Sequence, residues 1–418
     1  MWLLDKLLTR VIREGELTLI DAGGKAHRYG KPRLDRKPVT IRLTDARVAG
    51  DIARNPRLGA GEAYMEGRLV VEQGDVLDFI DLVTWNGRWE RGGDSRHAID
   101  RGWSGKLKAV IGLLNWQRKA KRNVAHHYDL NDRLYDLFLD SDRQYSCAYF
   151  TDPANSLEQA QADKKAHIVA KLDLRPGHKV LDIGCGWGGM ALYIHAKTGA
   201  SVHGITLSEE QLKVARRRAE EAGVSDKVTF SLTDYRDVEG KFDRIVSVGM
   251  FEHVGPPQYR VFFRKCRSLL TENGVMLLHT IGRMGKPGST DPWTAKYIFP
   301  GGYNPALSQI VTATHSTKLI ISDIETLRLH YALTLEHWYR RTVAARDAIV
   351  ALYDERFYRM WTFYLAGACC AFRHGGLVNY QVQLIRGRGT LPITRDYMQE
   401  AELALRQEAP LREEMPAP

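Results

Sequence analysis

The distribution of apolar and polar positions divides this chain into two regimes. Over residues 1–15, Trp2, Leu4, Leu7, Leu8, Val11 and Ile12 recur at helical intervals and predict an amphipathic helix. Short alternating runs follow at Glu16 to Asp21, Val39 to Asp45 and Arg68 to Glu72. Gly and Asp punctuate them, a pattern of strands joined by turns. Asp75 to Trp85 has helical periodicity. These elements predict a small α+β domain within residues 1–100, its periodic part ending near residue 90. From residue 165 the pattern changes. Apolar runs at Val180 to Ile183, Ser201 to Ile205, Val228 to Leu232, Arg244 to Val248 and Val275 to Thr280 predict strands. Helical segments at Met190 to Lys197, Gln211 to Ala222 and Gln258 to Leu270 separate several of them. Such alternation predicts βαβ units around a parallel sheet, with a ligand at the carboxyl ends of its strands.

Between the two regimes, residues 91–101 are glycine-rich and charged, as exposed linkers are. In the following stretch, 101–122, Trp103, Leu107, Val110, Ile111, Leu114 and Trp116 alternate with Lys106, Lys108, Arg118, Lys119, Lys121 and Arg122. A basic helix bearing tryptophans suits a membrane interface; an interdomain helix with solvated cations has the same pattern. The catalytic region is expected over 123–395, with a charged tail at 396–418.

With 418 residues, 44% hydrophobic and 26% charged, the chain has room for two or three packed domains. Its net charge of +10 favours acidic partners, whether nucleic acid or anionic lipid headgroups. Asp5, Arg10 and Arg13 interrupt the first apolar run, so no signal peptide is expected. The apolar run Trp361 to Phe372 is short of the roughly 20 residues a bilayer span needs. Five cysteines, two adjacent at Cys369 and Cys370, have no metal-site spacing and no disulfide framework, so no metal and a reducing cytoplasm are expected.

The candidate chemistry lies at the strand tips. Val180-Leu181-Asp182-Ile183-Gly184-Cys185-Gly186-Trp187-Gly188-Gly189 predicts a strand running into a glycine turn and then a helix. Its glycines permit close backbone approach, and the helix N-terminus suits a carboxylate or phosphate. Asp182 is expected to anchor the turn. At the next tip, Thr206 and Gln211 can both hydrogen-bond a ribose, while Ser208 also fits an ordinary helix cap. Asp234, Tyr235 and Arg236 follow the third strand, where a carboxylate could meet an adenine amino group and a ring could stack. Glu252 and His253 follow the fourth strand, and His279 with Ile281 the fifth.

The run Val180 to Gly189 with Gly204 to Gln211 resembles the methyl-donor site of class I S-adenosylmethionine-dependent methyltransferases. Four further motifs resemble cyclopropane-fatty-acyl-phospholipid synthases over about residues 120–390: Tyr145-Ser146-Cys147-Ala148-Tyr149-Phe150, Phe242 through Gly255, Leu277-Leu278-His279-Thr280-Ile281-Gly282 and Asp291-Pro292-Trp293. The resemblance implies a doubly wound, mostly parallel seven-stranded methyltransferase sheet with helices on both faces. It implies methylene transfer from S-adenosylmethionine to a cis double bond in a membrane phospholipid. The intermediate carbocation would be deprotonated by bound bicarbonate.

By the same resemblance, the bicarbonate cage comprises Cys147, Glu252, His279, the backbone of Ile281, and Tyr331. The donor site takes Tyr128, Tyr145, Ser146, Gly184, Cys185, Gly186, Thr206, Leu207, Gln211, Tyr235 and Arg236. Tyr128, Tyr145 and Tyr149 are candidates for cation–π contact with the carbocation, and core packing is the other reading for Tyr149. Where family members often carry a cysteine four residues before the position of Phe372, this chain has Ala368, so Cys369 and Cys370 are left out of the catalytic set. The expected partner is an unsaturated phospholipid at the inner membrane face, anionic lipids being favoured; a homodimer is the other expected partner, and the N-terminal domain is expected to make either lipid or dimer contacts. Two alternatives remain: a fatty-acyl C-methyltransferase giving a methyl-branched or methylene product, and a nucleic-acid-modifying methyltransferase, which the charge alone favours.

Overall fold

The computed structural model describes residues 1–92 and 132–407. The 101–122 stretch, Tyr128 and the end of the charged tail therefore lie outside the described residues. The N-terminal region opens with the predicted helix, Trp2–Val11, which turns Leu4 and Leu8 into the core. Strands β1 (Leu17–Ile20), β3 (Val39–Leu43) and β4 (Leu69–Gln73) match the alternating runs, and β2 (Ala26–Tyr29) adds an edge the sequence reading missed. Their order is β2-β1-β3-β4, with β1 and β3 parallel. Two helices also went unread, Ala46–Arg54 and Pro56–Met65. Asn55 ends the first and caps the second, and Pro56 takes the position where a helix needs no N–H donor.

The second region is built on seven strands in the order β10-β11-β9-β8-β5-β6-β7. They comprise β5 (Lys179–Ile183), β6 (Ser201–Thr206), β7 (Val228–Leu232), β8 (Phe242–Val248), β9 (Leu270–Arg283), β10 (Ile320–Leu327) and β11 (Leu377–Ile385). Strand β11 runs antiparallel to both β9 and β10, and the remaining pairs are parallel. The chain leaves β5 for β6 on one side and later returns to β8 on the other. The carboxyl ends of β5 and β8 therefore frame a topological switch point, where open α/β sheets bind ligands.

Apolar clusters cover both faces of the sheet. A third, strongly aromatic cluster lies beyond its edge, where helices His330–Ala344 and Glu355–Arg373 contribute Tyr331, Trp338, Trp361, Tyr364 and Phe372. The run Trp361 to Phe372 belongs to this packing. Among the described residues no helix is long and apolar enough to cross a membrane.

The N-terminal region docks on the Glu355–Arg373 helix through charged groups. The Asp81 carboxylate receives Arg36, Arg373 at 3.0 Å and His374 at 2.7 Å. Glu62 accepts from Lys296 and from Tyr297 Oη at 2.6 and 2.8 Å.

Candidate active site

The glycine turn forms as its sequence predicts, but its anchor differs. The N–H groups of Gly184 and Cys185 both donate to the Ile205 carbonyl, at 2.9 and 3.0 Å. Gly184 has φ +86°, a conformation that a residue with a Cβ adopts only under strain. The turn is thus tied to the end of β6 and not to Asp182, which corrects the anchoring role expected for that residue. Asp182 is buried and lines the cleft, and its Oδ2 has no hydrogen-bond partner. Burial pushes its carboxyl up to about 7, against the attraction of Lys164. The helix N-terminus at Gly189 is likewise met by the protein's own Asp142 and Gln144 side chains, which a side chain at 189 would strike.

Around this turn a cleft of about 1110 Å³, counting its open mouth, runs across the ends of β5, β6 and β8. Tyr145, Ser146, Gly184, Cys185, Gly186, Thr206, Leu207, Gln211, Tyr235 and Arg236 all line it. The structure thus brings together every predicted donor residue it describes. Thr206 Oγ donates to Gln211 Oε1 at 2.9 Å, and Ser208 caps the following helix by accepting the Gln211 N–H at 3.3 Å. Asp234 also lines the cleft and takes two hydrogen bonds from the Arg236 guanidinium, at 2.8 and 2.6 Å. Among the cleft residues, sequence reasoning missed Gln144, and it quoted Trp187 and His253 within their motifs without giving either a place in the donor site. Burial drives the His253 imidazole down to about 4, which keeps it neutral.

Behind the cleft lies Lys164, fully buried on the helix Leu157–Leu172 and bonded to Gln144 Oε1 and, at 3.0 Å, to Ser146 Oγ. Burial lowers its ammonium to about 8. The Lys164 charge also acts on Cys147 and His279.

None of the five predicted cage residues lines the cleft. Glu252 and Ile281 meet directly, since the Ile281 N–H donates to Glu252 Oε1 at 2.6 Å. That N–H is therefore shared with a side chain and not left for an anion alone. The other oxygen, Oε2, is buried with no partner, and burial raises the carboxyl to about 7. Both His279 ring nitrogens face amides of β11, Asn379 at 2.6 Å and Gln381 at 3.1 Å, and burial holds the ring well below its usual titration range. Cys147 donates its S–H to the Ala148 carbonyl at 3.3 Å, and burial raises the thiol far above neutrality, as fits a wall residue and not a nucleophile. Tyr331 belongs to the aromatic cluster with Cys147, and Ile281 packs against it. Tyr145 connects cleft and cluster: it lines the first, stacks on Trp338 at 5.1 Å, and its hydroxyl lies 3.3 Å from that of Tyr364. Tyr149 is stacked between His167 and His330, at 4.0 and 5.0 Å, so the packing reading holds for it.

Sheet order and glycine turn, with Thr206 and Gln211 at the next strand tip, are those of a class I S-adenosylmethionine-dependent methyltransferase. Comparison with known proteins narrows this. Residues 115–382 match the family model for mycolic acid cyclopropane synthetase. The chain is 40% identical to the cyclopropane-fatty-acyl-phospholipid synthase of Escherichia coli, over 84% of this chain and 88% of that one. It is 36% identical to a probable fatty acid methyltransferase of Pseudomonas putida, over 86% and 91%. Among solved structures, the mycolic acid cyclopropane synthase CmaA1 complexed with SAH and CTAB superposes with a TM-score of 0.61 at 33% identity, covering 65% of this chain and 99% of that one. The chain belongs to the cyclopropane synthase family of S-adenosylmethionine-dependent methyltransferases, whose reaction acts on lipid acyl chains.

Proposed function

We propose that the protein transfers a methylene unit from S-adenosylmethionine to the cis double bond of an unsaturated phospholipid acyl chain, with bicarbonate as the base. When bound, the donor would supply an electrophilic methyl group on a sulfonium, and a bicarbonate held by Glu252, His279 and Ile281 would supply a base for the proton that leaves that methyl. The observation that carries this reading is Glu252: a buried carboxyl with one oxygen on the Ile281 N–H and the other without a partner. Such an oxygen suits the hydroxyl of a bound bicarbonate, and the residues fit that anion with Ile281 and His279 as shared donors.

The protein's own groups do the rest. Thr206 and Gln211 hold the ribose, and Ser146, backed by Lys164, orients the methionine end. Tyr145 offers its ring where positive charge develops on the acyl chain. The aromatic cluster around Tyr331, Trp338 and Tyr364 excludes the water that would convert a carbocation to an alcohol. The net charge of +10 draws the protein to anionic headgroups at the inner membrane face. The first helix supports that contact, because Trp2 and Leu3 are 65% and 61% exposed beside Lys6 and Arg10.

The test is turnover of labelled S-adenosylmethionine with vesicles of an unsaturated phospholipid, in buffers with and without bicarbonate, followed by NMR of the extracted lipid. Cyclopropane protons and a bicarbonate requirement are expected. A methyl-branched or methylene product would overturn the ring-forming reading in favour of a fatty-acyl C-methyltransferase; the Pseudomonas putida relative is named a probable fatty acid methyltransferase.

A further inference from the structure

His279 lies between two amides, and the chemistry of a third residue decides what each of them presents to it. In the β9–β11 register Gln381 is directly opposite His279, and Asn379 is opposite Ile281. The three side chains therefore share one face, with Gln381 Nε2 at 3.1 Å from Nδ1 and Asn379 Nδ2 at 2.6 Å from Nε2. A neutral imidazole has one donor and one acceptor, so the two amides must present opposite ends to it.

Lys171 breaks the tie. Its ammonium has only donors, and it bonds Gln381 Oε1 at 2.7 Å. The oxygen of that amide is thus committed to Lys171, and its NH2 group faces His279. Nδ1 must then accept and the ring proton must lie on Nε2, which requires the Asn379 amide to present its oxygen where Nδ2 now stands, an inversion that leaves the shape of the side chain almost unchanged. This Nε2 lies beside Asn379, whose backbone pairs with Ile281, the residue that holds Glu252.

Lys171 is itself fixed from behind. It pairs with Glu325. Glu325 accepts from His167 Nε2 at 2.7 Å, and His167 Nδ1 meets Glu402 at 2.8 Å. Arg406 in turn bonds Glu402. Burial would raise the Glu325 carboxyl, but the His167 bond and the Lys171 charge bring it to about 2. The Gln383 side chain completes the support by donating to the Lys171 carbonyl and, at 2.8 Å, to the Tyr397 hydroxyl.

We propose that Lys171, acting through the Gln381 amide, fixes His279 as its Nε2–H tautomer, so that His279 is a hydrogen-bond donor on the side of Asn379. Lys171 and Gln381 are positioning residues: neither touches substrate. The use made of that donor rests on the bicarbonate reading above; the tautomer does not.

The experiment is NMR of the full-length protein carrying 15N-labelled histidine, with His279→Gln used to assign the signal. Steady-state kinetics in bicarbonate and in S-adenosylmethionine accompany it. The wild type should show the Nε2–H pattern from pH 6 to 9. Gln381→Glu keeps the partner of Lys171 but replaces the amide donor by an acceptor, so the signal should invert to Nδ1–H. Its KM for bicarbonate should rise at least tenfold while its KM for S-adenosylmethionine holds. Lys171→Met should give a mixture of tautomers, and Lys171→Arg should restore Nε2–H. An Nδ1–H wild type, or a Gln381→Glu protein that keeps Nε2–H, would overturn the proposal. Inversion without any change in bicarbonate dependence would uphold the tautomer control and overturn the bicarbonate reading instead.

Discussion

Glu252 Oε1 accepts the Ile281 N–H at 2.6 Å, which locks the turn after β8 to the end of β9. The lock is made by a carboxyl group buried deeply enough to titrate near 7 instead of 4.5. A carboxyl raised on folding contributes stability that is present below its unfolded value and lost as pH rises through its folded one. Stability should therefore fall between about pH 4.5 and 7.5. Glu252→Gln should remove part of that slope, worth up to about 3 kcal/mol at pH 8. Urea titrations at pH 5 and 8 measure it, and an unchanged slope in the variant would refute the assignment.

Gly184 makes a second prediction. A Cβ there would lie 2.9 Å from Met250 Cβ, on a backbone already at φ +86°. Gly184→Ala should weaken S-adenosylhomocysteine at least tenfold by calorimetry while leaving the far-ultraviolet circular dichroism intact. Wild-type affinity would show that the turn does not shape the donor site.

The Asp81 cluster is where the N-terminal region grips the catalytic one. Asp81→Ala strands Arg36 and Arg373 in a partly buried place and should lower the stability by roughly 3 kcal/mol. The double variant with Arg373→Met should recover part of the loss. Strict additivity of the two substitutions would mean that the pair does not interact.

All five cysteines are buried, and burial raises every one of their thiols. Ellman's reagent should release almost no colour from the native protein at pH 8 and five equivalents in guanidinium. A fast-reacting thiol in the native state would reopen the case for a nucleophile.

The sequence disclosed the five parallel strands because each is an apolar run closed by glycine or by a polar tip. The same signal marked Gly184, Gly186, Thr206 and Gln211. Strand β11 escaped because its buried face carries Asn379, Gln381 and Gln383, each about 1% exposed. Alternating polar residues of that kind look like a solvent face, and only the buried partners Lys171 and His279 explain them. Lys164 escaped for a related reason: a lysine on a helix is usually solvated, and nothing local shows that Gln144 and Ser146 will enclose it. The helices Ala46–Arg54 and Pro56–Met65 escaped because the Asn-Pro step between them looks like a loop, although it joins the two end to end. The cage motifs, by contrast, were visible only through family resemblance. Spacing alone does not reveal that the Ile281 N–H turns inward to Glu252.

The hydrogen bond between Thr206 and Gln211 bears on how selective the donor cleft can be. A site whose polar groups are orphaned by a missing ligand hydroxyl rejects the deoxy analogue by roughly 10⁴-fold or more. Here the two side chains can satisfy each other at 2.9 Å, so a nucleoside lacking one hydroxyl leaves nothing stranded. The cleft should therefore be a lenient judge of the sugar, discriminating by about tenfold, the worth of one ordinary hydrogen bond. On the function proposed above, stringency then falls on the aromatic cluster around Tyr331, Trp338 and Tyr364.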